Sequence, residues 1–264
     1  MAASIDNLVN VNFIKGDIDL LNFGLMLGGS GQHKPFPPPF TPAELFLQGE
    51  QGAWYLIRPE LLFQDAAGTV PVTADGDPVG LMLDQSGNGN HAIQTVSGSR
   101  PVYRTDGVLH WLEFDGVNDS IISNTYTLSQ PNTLALGFVY YSGIRIVGRR
   151  EGGGQGQLIY ITDNNINFYS GNVSSAIDLN TGEALVISGV FNGSSSRYRK
   201  DSGSFFTVNS GTNGSQGPII GNDTNGVAAA RIDFYGLVSV DADVGNVNLD
   251  KVDVYLADLA GVTL

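Results

Sequence analysis

Glu113 and Asp115, two residues apart in Glu113-Phe114-Asp115, are a pair of side chains that could do acid–base chemistry. Leu112 and Phe114 alternate with them. On a strand, residues i and i+2 share one face, so the two carboxylates would point the same way, away from the apolar pair. Neighbouring carboxylates of this kind are the equipment of a retaining glycosidase. Enzymes that build the set on one strand carry a further acid two positions on, and here that position is Val117, followed by Asn118. With the set incomplete, the chain is read as a binding or structural protein and not an enzyme. Cleavage of a polysaccharide with Glu113 at its centre stays as the last alternative. Nucleophilic hydrolysis finds no support either: the chain has no cysteine, and no Gly-x-Ser-x-Gly elbow joins a strand to a helix.

The run Asp84-Gln85-Ser86-Gly87-Asn88-Gly89-Asn90-His91 is dense in short polar side chains and glycines. Such residues close tight turns by bonding their own backbone, and a structural turn at a sheet end is the expectation. The same oxygens give a weaker calcium reading, with Asp84 and Asn88 joined by Asp115 and Asp119. Calcium takes six to eight oxygens, and the EF-hand spacing is absent. The three histidines, His33, His91 and His110, are not at metal-ligand spacing, so no metal and no cofactor is expected. Two basic clusters remain, Arg149-Arg150 and Arg197-Tyr198-Arg199. Each adjoins a Gly- or Ser-rich stretch, where arginine forks could grip an anionic sugar; a solvated loop tip is the plainer account.

The bulk numbers narrow the partners. The chain has 264 residues and a formal net charge of −13, from 13 basic and 26 acidic residues. Phosphate backbones need clustered Lys and Arg, so nucleic acid is not an expected partner. Only 15% of residues are charged and 35 are glycine, a composition that suits a β protein rich in turns. The start, Met1-Ala2-Ala3-Ser4-Ile5-Asp6, has neither the basic nor the apolar region of a secretory signal. No stretch reaches the roughly 18 apolar residues of a membrane span.

Three zones must position these side chains. Residues 1–34 form an apolar arm, with Val9, Val11 and Phe13 at strand periodicity and Leu20, Phe23 and Leu25 in a second apolar run. A short arm of this kind is expected to anchor on a partner, an extra strand of the main domain being the alternative. Residues 35–48 hold a Pro-rich spacer and, from Thr41-Pro42-Ala43-Glu44, a capping box and short helix. Residues 49–264 carry the strands. Leu134, Leu136, Phe138 and Tyr140 share one face, as do Leu185, Ile187 and Phe191. Ile232, Phe234, Val238 and Val240 are read the same way, with Gly236 between. Gly- and Asn-rich turns separate strands with no helices between them, which predicts an all-β, two-sheet antiparallel sandwich. Leu249, Val252, Leu256 and Leu259 recur at helical spacing, predicting a final helix capped by Asn248 and stopped by Gly261.

A set of motifs adds a resemblance. It comprises Gly49-Glu50-Gln51-Gly52-Ala53-Trp54-Tyr55, Leu62-Phe63-Gln64-Asp65-Ala66-Ala67-Gly68-Thr69, Asp84-Gln85-Ser86-Gly87-Asn88-Gly89-Asn90-His91-Ala92, Ser99-Arg100-Pro101, Leu112-Glu113-Phe114-Asp115-Gly116 and the closing Tyr255-Leu256-Ala257-Asp258-Leu259. Together they resemble the concanavalin A-like (laminin G-like) jelly-roll domains of tailed-bacteriophage virion and tail proteins, over Leu45 to Leu264. Leu56-Ile57-Arg58-Pro59 departs from that pattern. The resemblance implies a virion structural protein of the capsid or a tail appendage, assembled in the host cytoplasm. Its arm would dock on other virion proteins and its exposed jelly roll would face host-surface glycans, in a homo-oligomer expected to be a trimer. The alternative is a free carbohydrate-binding module of a bacterial envelope or secreted assembly.

Overall fold

Alternating apolar residues become two antiparallel sheets in a computed structural model of the chain, which describes residues 39–151, 155–223, 226 and 228–264. In chain order the strands are β1 (Gly52–Leu56), β2 (Leu62–Phe63), β3 (Leu81–Met82), β4 (Ala92–Ile93), β5 (Val102–Thr105), β6 (His110–Asp115), β7 (Ile121–Ser123), β8 (Asn132–Gly143) and β9 (Arg145–Glu151). They continue as β10 (Gln155–Thr162), β11 (Asn165–Tyr169), β12 (Val173–Asp178), β13 (Ala184–Phe191), β14 (Ser196–Lys200), β15 (Phe206–Val208), β16 (Ile219–Ile220) and β17 (Ala230–Val240). One helix, α1 (Gly245–Ala260), follows. Among the described residues, one sheet runs β15-β14-β13-β8-β17-β6-β5, and the other runs β12-β11-β10-β9-β16-β7-β4-β3-β2. β17 lies mid-sheet, with β8 along one edge. Its other edge is shared, β6 taking Arg231–Phe234 and β1 taking Gly236–Val240. The protein is thus an all-β sandwich with a C-terminal helix, as the alternation predicts.

The inward residues of both sheets make one core, which includes the fully buried Tyr55, Phe114, Phe138, Phe168, Phe191, Phe234 and Tyr198. Tyr198 stacks on Phe168 with centroids 3.7 Å apart and meets Phe191 edge-on. A second apolar layer lies on the other side of the β8–β17 sheet. There Val252, Leu256, Ala257, Leu259 and Ala260 of α1 pack with Ala135, Val139, Val186, Val238 and Val240.

Two expectations are corrected by this layering. Val238 and Val240 do not share a face with Ile232 and Phe234: the register shifts between Phe234 and Gly236. The extra residue of a β-bulge reverses the alternation, so Leu237 joins the inner core while Val238 and Val240 face α1. The helix also starts a turn early, at Gly245, so Asn248 is inside it and bonds Val244 O at 3.1 Å instead of capping it. Gly261 ends it in the left-handed conformation at φ 68°. Beside α1, with Leu45 and Phe46 in the same apolar layer, the capping box forms, Thr41 N donating to Glu44 Oε1 at 3.3 Å, but its turn is a short 3-10 helix, Pro42–Phe46. The arm residues Val9, Val11, Phe13, Leu20, Phe23 and Leu25 lie outside the described residues.

Candidate functional site on the open sheet face

α1 packs on β13, β8 and β17, and its apolar layer reaches Tyr235 and Trp111; farther along β6, Glu113 stays part-exposed and Asp115 exposed. Because Leu112 and Phe114 point into the core, Trp111 and Glu113 emerge on this outer face. Ile232 and Phe234 are inward for the same reason, so Arg231 and Asp233 emerge beside them. Register then decides the pairing: Glu113 lies directly opposite Asp233, and Asp115 opposite Arg231. Directly opposed residues have Cβ atoms about 4.5–5.5 Å apart. The carboxylate that meets Glu113 is therefore Asp233, from the far end of the chain.

Asp115 is spent elsewhere. Its Oδ1 accepts from Val117 N at 2.7 Å and Asn118 N at 3.2 Å, closing the turn after β6. Gly116 makes that turn possible: it sits at φ 76°, and a Cβ there would be 2.9 Å from the Arg231 backbone.

The rest of the cluster comes from three strands. Arg104 of β5 forks onto Glu113, with Nε 3.2 Å from Oε2 and an Nη 3.4 Å from Oε1, and also reaches Asp75 at 3.4 Å. Glu113 keeps 42% of its side-chain surface exposed despite this pair. Tyr141, near the end of β8, donates its OH to Asp233 Oδ2 at 2.8 Å. Arg231 lies 4.9 Å over the Tyr141 ring. Asp233 is nearly buried, and burial raises its pKa, with the charge of Glu113 adding to the rise against the Tyr141 bond and the two arginines. Burial also pushes Tyr141 up to about 12, helped by Asp233. The result is an arrangement of two carboxyls, one part-exposed and one nearly buried with its pKa raised, edged by a phenol and two guanidinium groups. It can accept from sugar hydroxyls and donate to ring oxygens.

The other predicted site residues go to structural work. Arg197, Tyr198 and Arg199 sit on β14 and not on a loop tip. Arg197 forks onto Asp243 at 2.7 and 2.9 Å and holds that carboxyl below its usual range. Tyr198 is in the core. Arg199 is buried under α1, 2.8 Å from both Asp250 and Asp253. Arg197 and Tyr198 are bonded internally, and Arg199 is ion-paired and buried, with one Nη outside hydrogen-bonding geometry. Arg149 and Arg150, on β9, are backbone-paired to Gln157 and Gly156 of β10, and their side chains lie outside the described residues.

The calcium candidates are likewise engaged. Asp84 accepts from Trp54 N, Ser86 N and Asn90 N, each at 2.9 Å, and from Ser86 Oγ at 2.7 Å. Asn88 Nδ2 donates to the carbonyls of Glu50 and Gly52. Asp119 Oδ2 accepts from Asp115 N at 3.0 Å. Among the described residues no group of three or more His, Asp or Glu converges as a metal site.

Asp119 offers a test of its surroundings. Burial, with smaller contributions from the charges of Asp115 and Glu113, raises its pKa to about 6. The unfolded value is about 3.9. A carboxyl that holds its proton more tightly when folded adds stability below the unfolded value and loses it as pH rises through the folded one. Asp119→Asn should therefore be more stable than the unaltered chain at pH 7.5, by about 1–2 kcal/mol, with the gap closing by pH 4. Thermal unfolding at several pH values checks this; a gap independent of pH would overturn it.

No protein-family model matches the sequence, and no curated protein is significantly similar to it. Solved structures do share the fold. An arabinofuranosidase complexed with arabinofuranosyl-α-1,2-xylobiose matches at TM-score 0.57 and 13% identity, over 84% of this chain and 65% of that one. A botulinum neurotoxin type C structure, described by its interaction with two ganglioside molecules, matches at 0.55 and 9%, over 82% and 53%. Trypanosoma rangeli sialidase in complex with sialic acid matches at 0.50 and 12%, over 84% of this chain and 35% of the sialidase. The chain thus spans about a third of that sialidase's length. These likenesses bear out the sandwich part of the resemblance and provide no link to phage. They also correct the expectation of a non-enzyme: chains of named glycosidases contain this fold. An incomplete acid set on one strand is accordingly no ground for placing the chain outside enzymes.

Proposed function

We propose that this protein binds glycans on the open face of its β5–β6–β17–β8 sheet. The observation that carries the reading is the set of contacts among Glu113, Arg104, Asp233, Tyr141 and Arg231 on the outer face of the sheet, beside the layer that α1 covers. Carboxylates and guanidinium groups fixed on strands recognise hydroxyls at low ordering cost. Support also comes from the fold's recurrence in structures described with sialic acid, a xylobiose derivative and gangliosides. The setting we propose is a phage virion, with the arm docked on capsid or tail proteins in a homotrimer; the sequence motifs alone support that setting.

The test is a glycan array with the full chain, followed by calorimetry on the hits. Arg231→Ala and Glu113→Ala each remove a charge-assisted hydrogen-bonding group, worth about 1.5–3 kcal/mol. Affinity should drop about 10- to 100-fold. Binding unchanged in both variants would move the site elsewhere, and an array with no hits would remove the reading. The setting is tested by cryo-EM of particles with and without the protein: missing density is expected, and unchanged density would sink it.

A further inference from the structure

We infer that the space between the two sheets is a binding site for one water molecule, held by Asn132 Oδ1 and joining the sheets. The site is separate from the glycan face and does not depend on it.

Asn132 opens β8 and is fully buried. Its side-chain amide has a donor end and an acceptor end. Nδ2 donates to Ser129 O at 2.9 Å, and that bond decides which end is which. Oδ1 is buried and receives no hydrogen bond from the protein. A buried acceptor left unmet is costly, so such groups take a partner from protein or from ordered water.

A small cavity lies beside this oxygen. Asn132 lines it and Ser129 does not, so the amide turns Nδ2 away and presents Oδ1 to the space. The walls come from both sheets: Asn132 of β8 and Ser239 of β17 on one side, Gly148 of β9 and Gln157 of β10 on the other. Inside, the centre of a water-sized sphere can range over about 20 Å³. One water needs about 10–15 Å³ on this measure, so the space takes one and nothing larger.

A held water also needs two to four polar partners. Asn132 Oδ1 accepts one of its protons. Ser239 Oγ takes the Ala53 amide at 3.2 Å and meets Tyr126 OH at 3.0 Å, and a hydroxyl with three bonding sites has one left. Gln157, whose Nε2 donates to Asn213 O at 3.1 Å, and Ser215 add to the polar lining. None of the described residues lining the cavity is charged, which disfavours an ion in place of water.

The test is a crystal structure of the full chain at a resolution that shows ordered water. One peak about 2.5–3.0 Å from Asn132 Oδ1 is expected. Oxygen-17 relaxation dispersion counts long-lived waters in solution. Asn132→Leu should lower that count by one, with circular dichroism and thermal unfolding confirming that the variant folds. An empty cavity, an Asn132 side chain turned to bond a protein donor, or an unchanged count in folded Asn132→Leu would each overturn the inference. Should the variant fail to fold, the crystal structure of the parent decides alone.

Discussion

Replacing Asp253 by alanine is expected to lower the unfolding free energy by about 3–5 kcal/mol. Asp253 is fully buried on α1, and its Oδ2 is 2.8 Å from an Nη of Arg199 and 3.1 Å from Ser202 Oγ. Arg199 is itself buried, reaches Ser188 Oγ at 3.4 Å, and lies 4.5 Å over the Phe205 ring. Two ions taken out of water together cost several kcal/mol each, offset by their attraction. Removing one leaves the other's desolvation unopposed. Asp250, more than half exposed, holds the second Nη at 2.8 Å and cannot replace the lost partner. The double substitution Arg199→Met with Asp253→Leu removes both charges and should recover most of the loss, since an apolar pair of similar volume is often neutral. Urea unfolding of the three variants checks the cycle. A loss under about 1 kcal/mol in Asp253→Ala would show that α1 does not depend on the pair.

The second large effect is at Asp84. Its two oxygens take four donors, three of them backbone N–H groups from β1 and the turn after β3. The same knot ties Asn90 Nδ2 to Gly52 O at 2.7 Å and Tyr55 OH to Asn90 O at 2.6 Å. Alanine there strands several donors at once, at about 1–3 kcal/mol for each that stays buried. Asp84→Ala should lose about 3 kcal/mol or more, and Asp84→Asn, which keeps one acceptor oxygen, about half as much. Hydrogen exchange at the Trp54 amide should quicken in both. Equal stability of parent and alanine variant would contradict the geometry.

These two positions show where a sequence can and cannot be read. Strands β8 and β13 were legible, because Leu136, Phe138 and Tyr140, and Leu185, Ile187 and Phe191, reach the inner core at a steady period of two. So was the apolar stripe of α1. The fault at Val238 and Val240 came from one extra residue near Gly236, which reverses facing without altering the pattern of residue types. The Asp84 turn was legible as a turn because its bonds are mostly local. Asp253 carried no local signal: its partner Arg199 is far along the chain. The same holds for the candidate site. Glu113 stood out between Leu112 and Phe114, but its neighbour in sequence, Asp115, looked like its mate. Strand order makes the mate Asp233. Arg231 and Asp233 did alternate with Ile232 and Phe234, so their outward facing was readable; which strand lay alongside was not.

The placement of β17 has a consequence for how the chain reaches this state. It is the last described strand in chain order, yet it fills the gap between β8 on one side and β6 and β1 on the other. Until it emerges, β8 and β6 present bare edges, and Glu113 has no Asp233 opposite it. Closure must therefore await synthesis through Val240, and contacts so distant in sequence fold in milliseconds to seconds, not microseconds. A ribosome-bound fragment ending before Ala230 should be open to proteases and to chance edge pairing. Protection should arrive together with the completed site when β17 and α1 are released.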